Sequence, residues 1–266
     1  MKYISRLPKI VRNPNSHKGE NGSVLVVGGS IDYVGAPALA ALAALRSGVD
    51  LVTVAAPEKV ALTINQRSYD LITKKLPGDF LSPKHFNEIS KLAGKADVIL
   101  IGNGMGLKNE SKVLVNKILK LKNPKVIDAD ALKLANSELI EDSILTPHKK
   151  ELEILLENNK TTLENISIKN SVIIKGKIDE VHCKGNILYN KTGNVRMTVG
   201  GTGDVLAGLC AGFLAQYKDI QKASITSIYL NGYIGDILLK EKGHSFTAED
   251  MIDKIPVAIK NLGLVI

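Results

Sequence analysis

The sequence predicts an α/β sandwich built on a mostly parallel sheet. Two patterns carry that reading: short, continuously apolar runs recur from Ser23 onward, and segments of helical length and spacing separate them. A strand that is apolar at every position is buried on both faces, which a parallel sheet covered by helices on either side provides. The length of 266 residues, with 44% hydrophobic and 23% charged side chains, is ample for such a core and excludes a disordered or fibrous chain.

In order, the strand runs are 24–27, 51–54, 98–101, 125–127 and 172–174, and the helical segments between them include 36–47, 83–92, 110–120 and 149–156. Between 181 and 198 the pattern changes to short strands with turn signals at Lys184-Gly185-Asn186 and Thr192-Gly193-Asn194, which predict two hairpins. The strands then stop. Residues 202–217, 222–239 and 247–255 read as successive helices, the first two rich in small residues that allow close packing. No linker, repeat or low-complexity stretch divides the chain, so 1–266 is read as a single domain.

The net charge is +8, from 35 Lys and Arg against 27 Asp and Glu, and nearly all of the excess is lysine scattered among acids. With no Trp, 4 Phe and 7 Tyr, this argues against a nucleic-acid interface, whereas an anionic small substrate suits it. Cys183 and Cys210 are the only cysteines, too few for a disulfide scaffold or a thiolate zinc site. Residues 1–10 lack the apolar stretch of a signal peptide, and the longest small-apolar runs, 34–45 and 205–215, are shorter than the ~20 residues that span a bilayer. The expectation is a soluble cytoplasmic protein with no membrane partner.

Ligands of open α/β sheets bind beyond the carboxyl ends of the strands. Four such positions are rich: Gly28-Gly29-Ser30 followed by Tyr33 to Pro37, Gly102-Asn103-Gly104-Met105-Gly106, Asp128-Ala129-Asp130, and Thr146-Pro147-His148. The 102–106 loop is not a dinucleotide fingerprint, and a tight turn explains it as well as a ligand loop does. The strongest signal is Gly200-Gly201-Thr202-Gly203-Asp204, which opens an apolar helix. Small residues let successive N–H groups converge on an anion at a helix N-terminus, and Asp204 beside it is placed to take a proton from a hydroxyl attacking a phosphoryl group. The alternatives are structural. Thr202 serves as an N-cap and Asp204 complements the dipole, Asp130 caps its own helix, His148 is a hydrogen-bonded structural residue, and Lys175 is a surface lysine. Asp128 and Asp130 also suit orienting Mg²⁺ or polar ligand groups.

Together, His17-Lys18-Gly19 with Gly22, Gly28 to Pro37, Gly102 to Gly106, Asp128 to Leu132, Thr146 to His148, Lys175-Gly176 and Gly200 to Gly208 resemble the ADP- or ATP-dependent NAD(P)H-hydrate dehydratases. The GGTGD element is common to many ribokinase-like kinases, and His17-Lys18-Gly19, Gly35-Ala36-Pro37 and Thr146-Pro147-His148 together separate the dehydratase from them. The resemblance implies a ribokinase-like three-layer sandwich and repair of the hydrated cofactors NADHX and NADPHX at the expense of ADP or ATP, with Mg²⁺. It implies Asp204 as the catalytic base, Ala36, Gly104, His148 and Asp204 lining the hydrate site, Lys175, Gly176, Lys177, Ile178, Asp179 and Gly203 at the nucleotide, and an anion hole of Gly201, Thr202 and Gly203, with no protein metal ligand. It further implies a homo-oligomer, commonly a tetramer, and a separate NAD(P)HX epimerase in the same pathway, since the epimerase domain often fused in front is missing. Three positions depart from the family pattern: Asn103 replaces a proline, Lys150 a glycine, and Asn231 the His of a His-Gly pair. The competing readings are a ribokinase-like kinase of a vitamin-precursor alcohol and a nucleotide-binding regulatory module without turnover.

Overall fold

A computed structural model describes residues 1–265. From β1 (Ser23–Val27) the chain passes through α1 (Gly35–Arg46) to β2 (Leu51–Pro57), and through α2 (Glu58–Arg67) to β3 (Ile72–Leu76). It returns by α3 (Phe86–Ala93) to β4 (Val98–Ile101), then by α4 (Asn109–Leu119) to β5 (Lys125–Ile127) and by α5 (Asp130–Leu134) to β6 (Ser143–Leu145). Helices α6 (Lys149–Asn159) and α7 (Leu163–Lys169) lead to β7 (Ser171–Ile174), and the hairpin β8 (Asp179–Cys183) and β9 (Asn186–Asn190) follows. Three helices finish the chain: α8 (Thr202–Tyr217), α9 (Ile220–Lys242) and α10 (Ala248–Asn261).

Among the described residues nine strands form one sheet in the order β3-β2-β1-β4-β5-β6-β7-β8-β9. Pairing is parallel from β3 to β7 and antiparallel at β8 and β9. The alternation of strand side chains divides the interior in two. Val24, Val26, Val52, Val54, Val98 and Leu100 face a core shared with α1, α2, α8, α9 and α10. Leu25, Val27, Ile99, Ile101 and Ile127 face the opposite core with α3 to α7. The result is a three-layer α/β sandwich on a mostly parallel sheet, as the sequence predicts.

On the first face α1 crosses α8 at very short range. A Cβ on Gly208 would overlap the Ala40 carbonyl oxygen and approach the Ala43 Cβ to 2.8 Å, so the absence of a side chain sets the separation of the two helices. The predicted hairpin at Thr192-Gly193-Asn194 does not form. Asp236 of α9 accepts from the Gly193 N–H and the Asn194 amide, the Thr192 hydroxyl donates to the Tyr229 carbonyl, and Asn194 caps a short 3₁₀ turn over Val195–Thr198. The turn residues are thus stitched to α9, and only Lys184-Gly185 closes a hairpin.

Candidate active site

Strand order reverses between β1 and β4, and beyond the carboxyl ends of these neighbours lie the Gly28 and Gly102 loops, joined by the Gly29 N–H donating to the Asn103 carbonyl at 2.8 Å. The loops after β5, β6 and β7 extend the same edge, bringing Asp128, Thr146 and Lys175 beside them. Helix α8 points its N-terminus here. Gly201 is its N-cap at φ +93°, where a Cβ would stand 2.6 Å from Leu39 Cδ1 and 2.8 Å from the Ala248 Cβ, so backbone and packing both require glycine. Thr202 is the first helical residue rather than the cap, its hydroxyl turned to the Met197 and Val199 carbonyls, and Asp204 lies in the first turn.

Two carboxylates face one amide. Asn103 Nδ2 donates to Asp204 Oδ1 at 2.6 Å and to Asp128 Oδ2 at 3.0 Å. The other Asp128 oxygen accepts from the Thr146 hydroxyl at 2.7 Å and lies 3.4 Å from Lys175 Nζ. Burial, reinforced by the neighbouring Asp128 charge, pushes the Asp204 carboxyl up to about 7, against the Asn103 hydrogen bond and Lys175, which hold it down. Burial opposes the Lys175 charge, but the carboxylates of Asp128, Glu151 and Asp204 outweigh it and raise its pKa. Lys175 is therefore a paired ammonium, not a surface lysine, and its Nζ lies 3.5 Å from where a Gly203 Cβ would stand.

The other predicted residues fall around this centre. Gly104 and Ala36 meet: a Cβ on Gly104 would be 3.4 Å from the Ala36 Cβ and 2.8 Å from the Tyr33 Cβ, beside an exposed Tyr33 ring. His148 caps α6, its Nδ1 accepting from the Glu151 N–H while Glu151 Oε2 accepts from the His148 N–H, and its β-bridge to Lys175 keeps it on the same edge. Gly176, Lys177 and Ile178 form the exposed β7–β8 turn, which Asp179 closes by accepting from the Gly176 N–H and the Asn190 amide. Asp130 is not an N-cap, a position held by Ala129 at φ 52°; it accepts from the Gly106 N–H and pairs with Lys133. His17-Lys18-Gly19 is not at this edge. Gly19 N–H donates to Asp50, just before β2, at the opposite end of the parallel strands. Sequence reading did not single out Thr146 and Glu151 individually, since their roles exist only through Asp128 and Lys175.

A cavity of about 490 Å³ between α1, α2 and α10 adjoins the site, lined by Gly35 and Gly200, the residues before Ala36 and Gly201. Among the described residues no three His, Cys, Asp or Glu side chains gather as a metal site, and no helix is long and apolar enough to cross a membrane.

The profile of the family described as NAD(P)H-hydrate dehydratase matches residues 24–257, from β1 into α10. The chain belongs to that family. It is 44% identical over 254 residues to the bifunctional NAD(P)H-hydrate repair enzyme Nnr of Methanocaldococcus jannaschii, covering 94% of this chain and 50% of the relative, and 40% identical to that of Methanothermobacter thermautotrophicus, covering 95% and 52%. It spans about half the length of these curated relatives. Among solved structures, an ADP/ATP-dependent NAD(P)H-hydrate dehydratase from Bacillus subtilis co-crystallised with ATP/Mg²⁺ superposes with a TM-score of 0.79 at 26% identity, over 96% of this chain and 94% of that one. A hydroxyethylthiazole kinase from Pyrococcus horikoshii, at 15% identity and a TM-score of 0.61 over 91% and 92%, shares the fold.

Proposed function

We propose that residues 1–266 act as one dehydratase domain that restores NADHX and NADPHX, as the S-epimers, to NADH and NADPH, converting ADP to AMP and phosphate or ATP to ADP and phosphate. The observation that carries this reading is Asp204, a carboxylate that titrates near neutrality in the first turn of α8, beside the Lys175 ammonium. A base with a pKa close to the working pH is half ionised yet strong enough to take a hydroxyl proton.

Asp204 accepts the proton of the C6 hydroxyl as its oxygen attacks the terminal phosphorus, and the bond to the departing nucleotide oxygen breaks. The N–H groups of Gly201, Thr202 and Gly203 at the start of α8 balance the phosphoryl charge, and Lys175 adds a positive charge beside Gly203. Phosphate then leaves C6 with the bonding pair, the ring nitrogen supplies electrons, and C5 releases a proton as the dihydronicotinamide double bond forms. Ala36, Gly104 and His148 line the hydrate, whereas Gly176, Lys177, Ile178 and Asp179 follow the nucleotide. Because the carboxylates of Asp128 and Asp130 are already engaged, Mg²⁺ would arrive with the nucleotide and would offset the charge of its phosphates.

The reading extends to a cytoplasmic homo-oligomer, a tetramer by family analogy, working beside a separate NAD(P)HX epimerase, and sedimentation velocity tests the assembly. Incubating the protein with NADHX, Mg²⁺ and ADP or ATP should regenerate absorbance at 340 nm with one phosphate released per NADH. A stable phosphorylated product without NADH would identify a kinase instead, and nucleotide binding without turnover a regulatory module.

A further inference from the structure

Asn103 stands where the family's pattern has proline, a residue that offers no side-chain donor. Its side chain is fully buried, so no solvent competes for its partners. Both amide hydrogens are committed, one to Asp128 and one to Asp204, while Oδ1 is buried without a partner. The reverse amide orientation would aim that oxygen at two carboxylates and strand both donors. The orphaned oxygen therefore marks a position chosen for donation. The loop cannot easily withdraw it, because the Asn103 carbonyl accepts from Gly29 and stands 2.5 Å from where a Cβ on Gly28 would be.

We propose that Asn103 is a positioning residue that keeps Asp204 ionised and in one orientation by bridging it to Asp128. This rests on the reading of Asp204 as the base. The other charged groups around Asp204 are Asp128 after β5 and Asp130 on α5, which oppose ionisation, and Lys175 after β7, which favours it; Glu151 of α6 and Lys133 of α5 act one step away, through Lys175 and Asp130. Among the described residues, only the Asn103 amide is hydrogen-bonded to both carboxylates. Without it, two like charges would face each other across a buried gap, and Asp204 would hold its proton to higher pH.

The test compares wild type with Asn103→Ala and Asn103→Asp, reading the Asp204 carboxyl by carbon-13 NMR titration, assigned with Asp204→Asn, and kcat for NADHX against pH. Asn103→Ala should raise the Asp204 midpoint by about one pH unit, so that kcat falls about five-fold at pH 7 and recovers near pH 9. Asn103→Asp, which keeps the size but replaces the donor with a carboxylate, should move the midpoint at least as far. In the wild type, the Asn103 side-chain amide resonances should titrate with Asp204 and cease to do so in Asp204→Asn, a reading that needs no Asn103 variant to fold. Unmoved midpoints, amide resonances indifferent to Asp204, or an equal rate loss at every pH would overturn the proposal. Absence of NADHX turnover by wild type would overturn the underlying reading instead, and the NMR midpoints would still decide the role of Asn103.

Discussion

Asp204 is held between burial beside Asp128, which favours its proton, and Asn103 with Lys175, which favour its charge. Its carboxyl is raised from 3.8 to about 7 in the folded chain, so the native state binds a proton that the unfolded state releases, and this group's contribution to stability declines as pH rises from about 4 to about 7. Asp204→Asn removes the ionised form. We expect it to abolish turnover, by ~10² to 10⁴ in kcat, yet to retain nucleotide binding, and calorimetry should find it more stable than wild type by about 2–8 °C at pH 8 with little difference below about pH 4. Near wild-type turnover would remove Asp204 from the chemistry, and equal melting temperatures at pH 8 would show its charge to be unstrained. Ala36 tests the substrate wall. Its Cβ faces Gly104, so Ala36→Leu should fill that gap and weaken the hydrated cofactor far more than ADP or ATP, as separate titrations would report. Equal weakening of both with a lowered melting temperature would make Ala36 a packing residue.

Helix α8 supplies much of the site, and the glycines within it and leading into it differ in what they do. Gly208 lies against a carbonyl, whereas a Cβ on Gly200 would meet nothing within 4 Å. Gly208→Ala should therefore lose about 1–3 kcal/mol in denaturant unfolding while Gly200→Ala stays close to wild type, and equal effects would show that the α1–α8 contact relaxes freely. Gly203 lacks the left-handed backbone found at Gly201, and a Cβ there is 3.5 Å from Lys175 Nζ. Gly203→Val should accordingly lower nucleotide affinity through crowding at the phosphates, with stability little changed; undiminished affinity would place the phosphates elsewhere. The helices at either end and the strands β1, β2, β4, β5 and β7 were legible because apolar continuity and 3.6-residue spacing are local signals, whereas the three residues of β6 are too short a run to stand out. Strand β3 was not legible either, since Lys74 and Lys75 interrupt both faces of this edge strand, and α5 and α7 span too few residues for a periodic pattern. At the site, GGTGD marked the α8 terminus, but the Asn103–Asp204 contact joins residues 101 apart, and only the sheet order brings them together.

At the scale of the whole molecule, the proposed nucleotide site draws on the β7–β8 turn and the start of α8, which the β8–β9 hairpin separates along the chain. A ligand bound across them stabilises only the assembled fold, so ATP with Mg²⁺ at ~100 times its Kd should add about 2.7 kcal/mol and raise the melting temperature by several degrees, in Asp204→Asn as in wild type. No shift in either protein would mean that this edge does not hold nucleotide. The close crossing of α1 on α8 has a further consequence. Ala36 lies in the first turn of one helix and the Gly201 cap begins the other, and where they cross, backbone meets backbone with no rotamer to take up slack. On the proposed assignment, the gap between the wall facing the nicotinamide and the amides facing the phosphate is thus fixed as by a riveted caliper. The two jaws should open only when the surrounding core opens, so amide hydrogen exchange ought to find the central turns of α1 and α8 in the same slowest-exchanging class, with or without ligand.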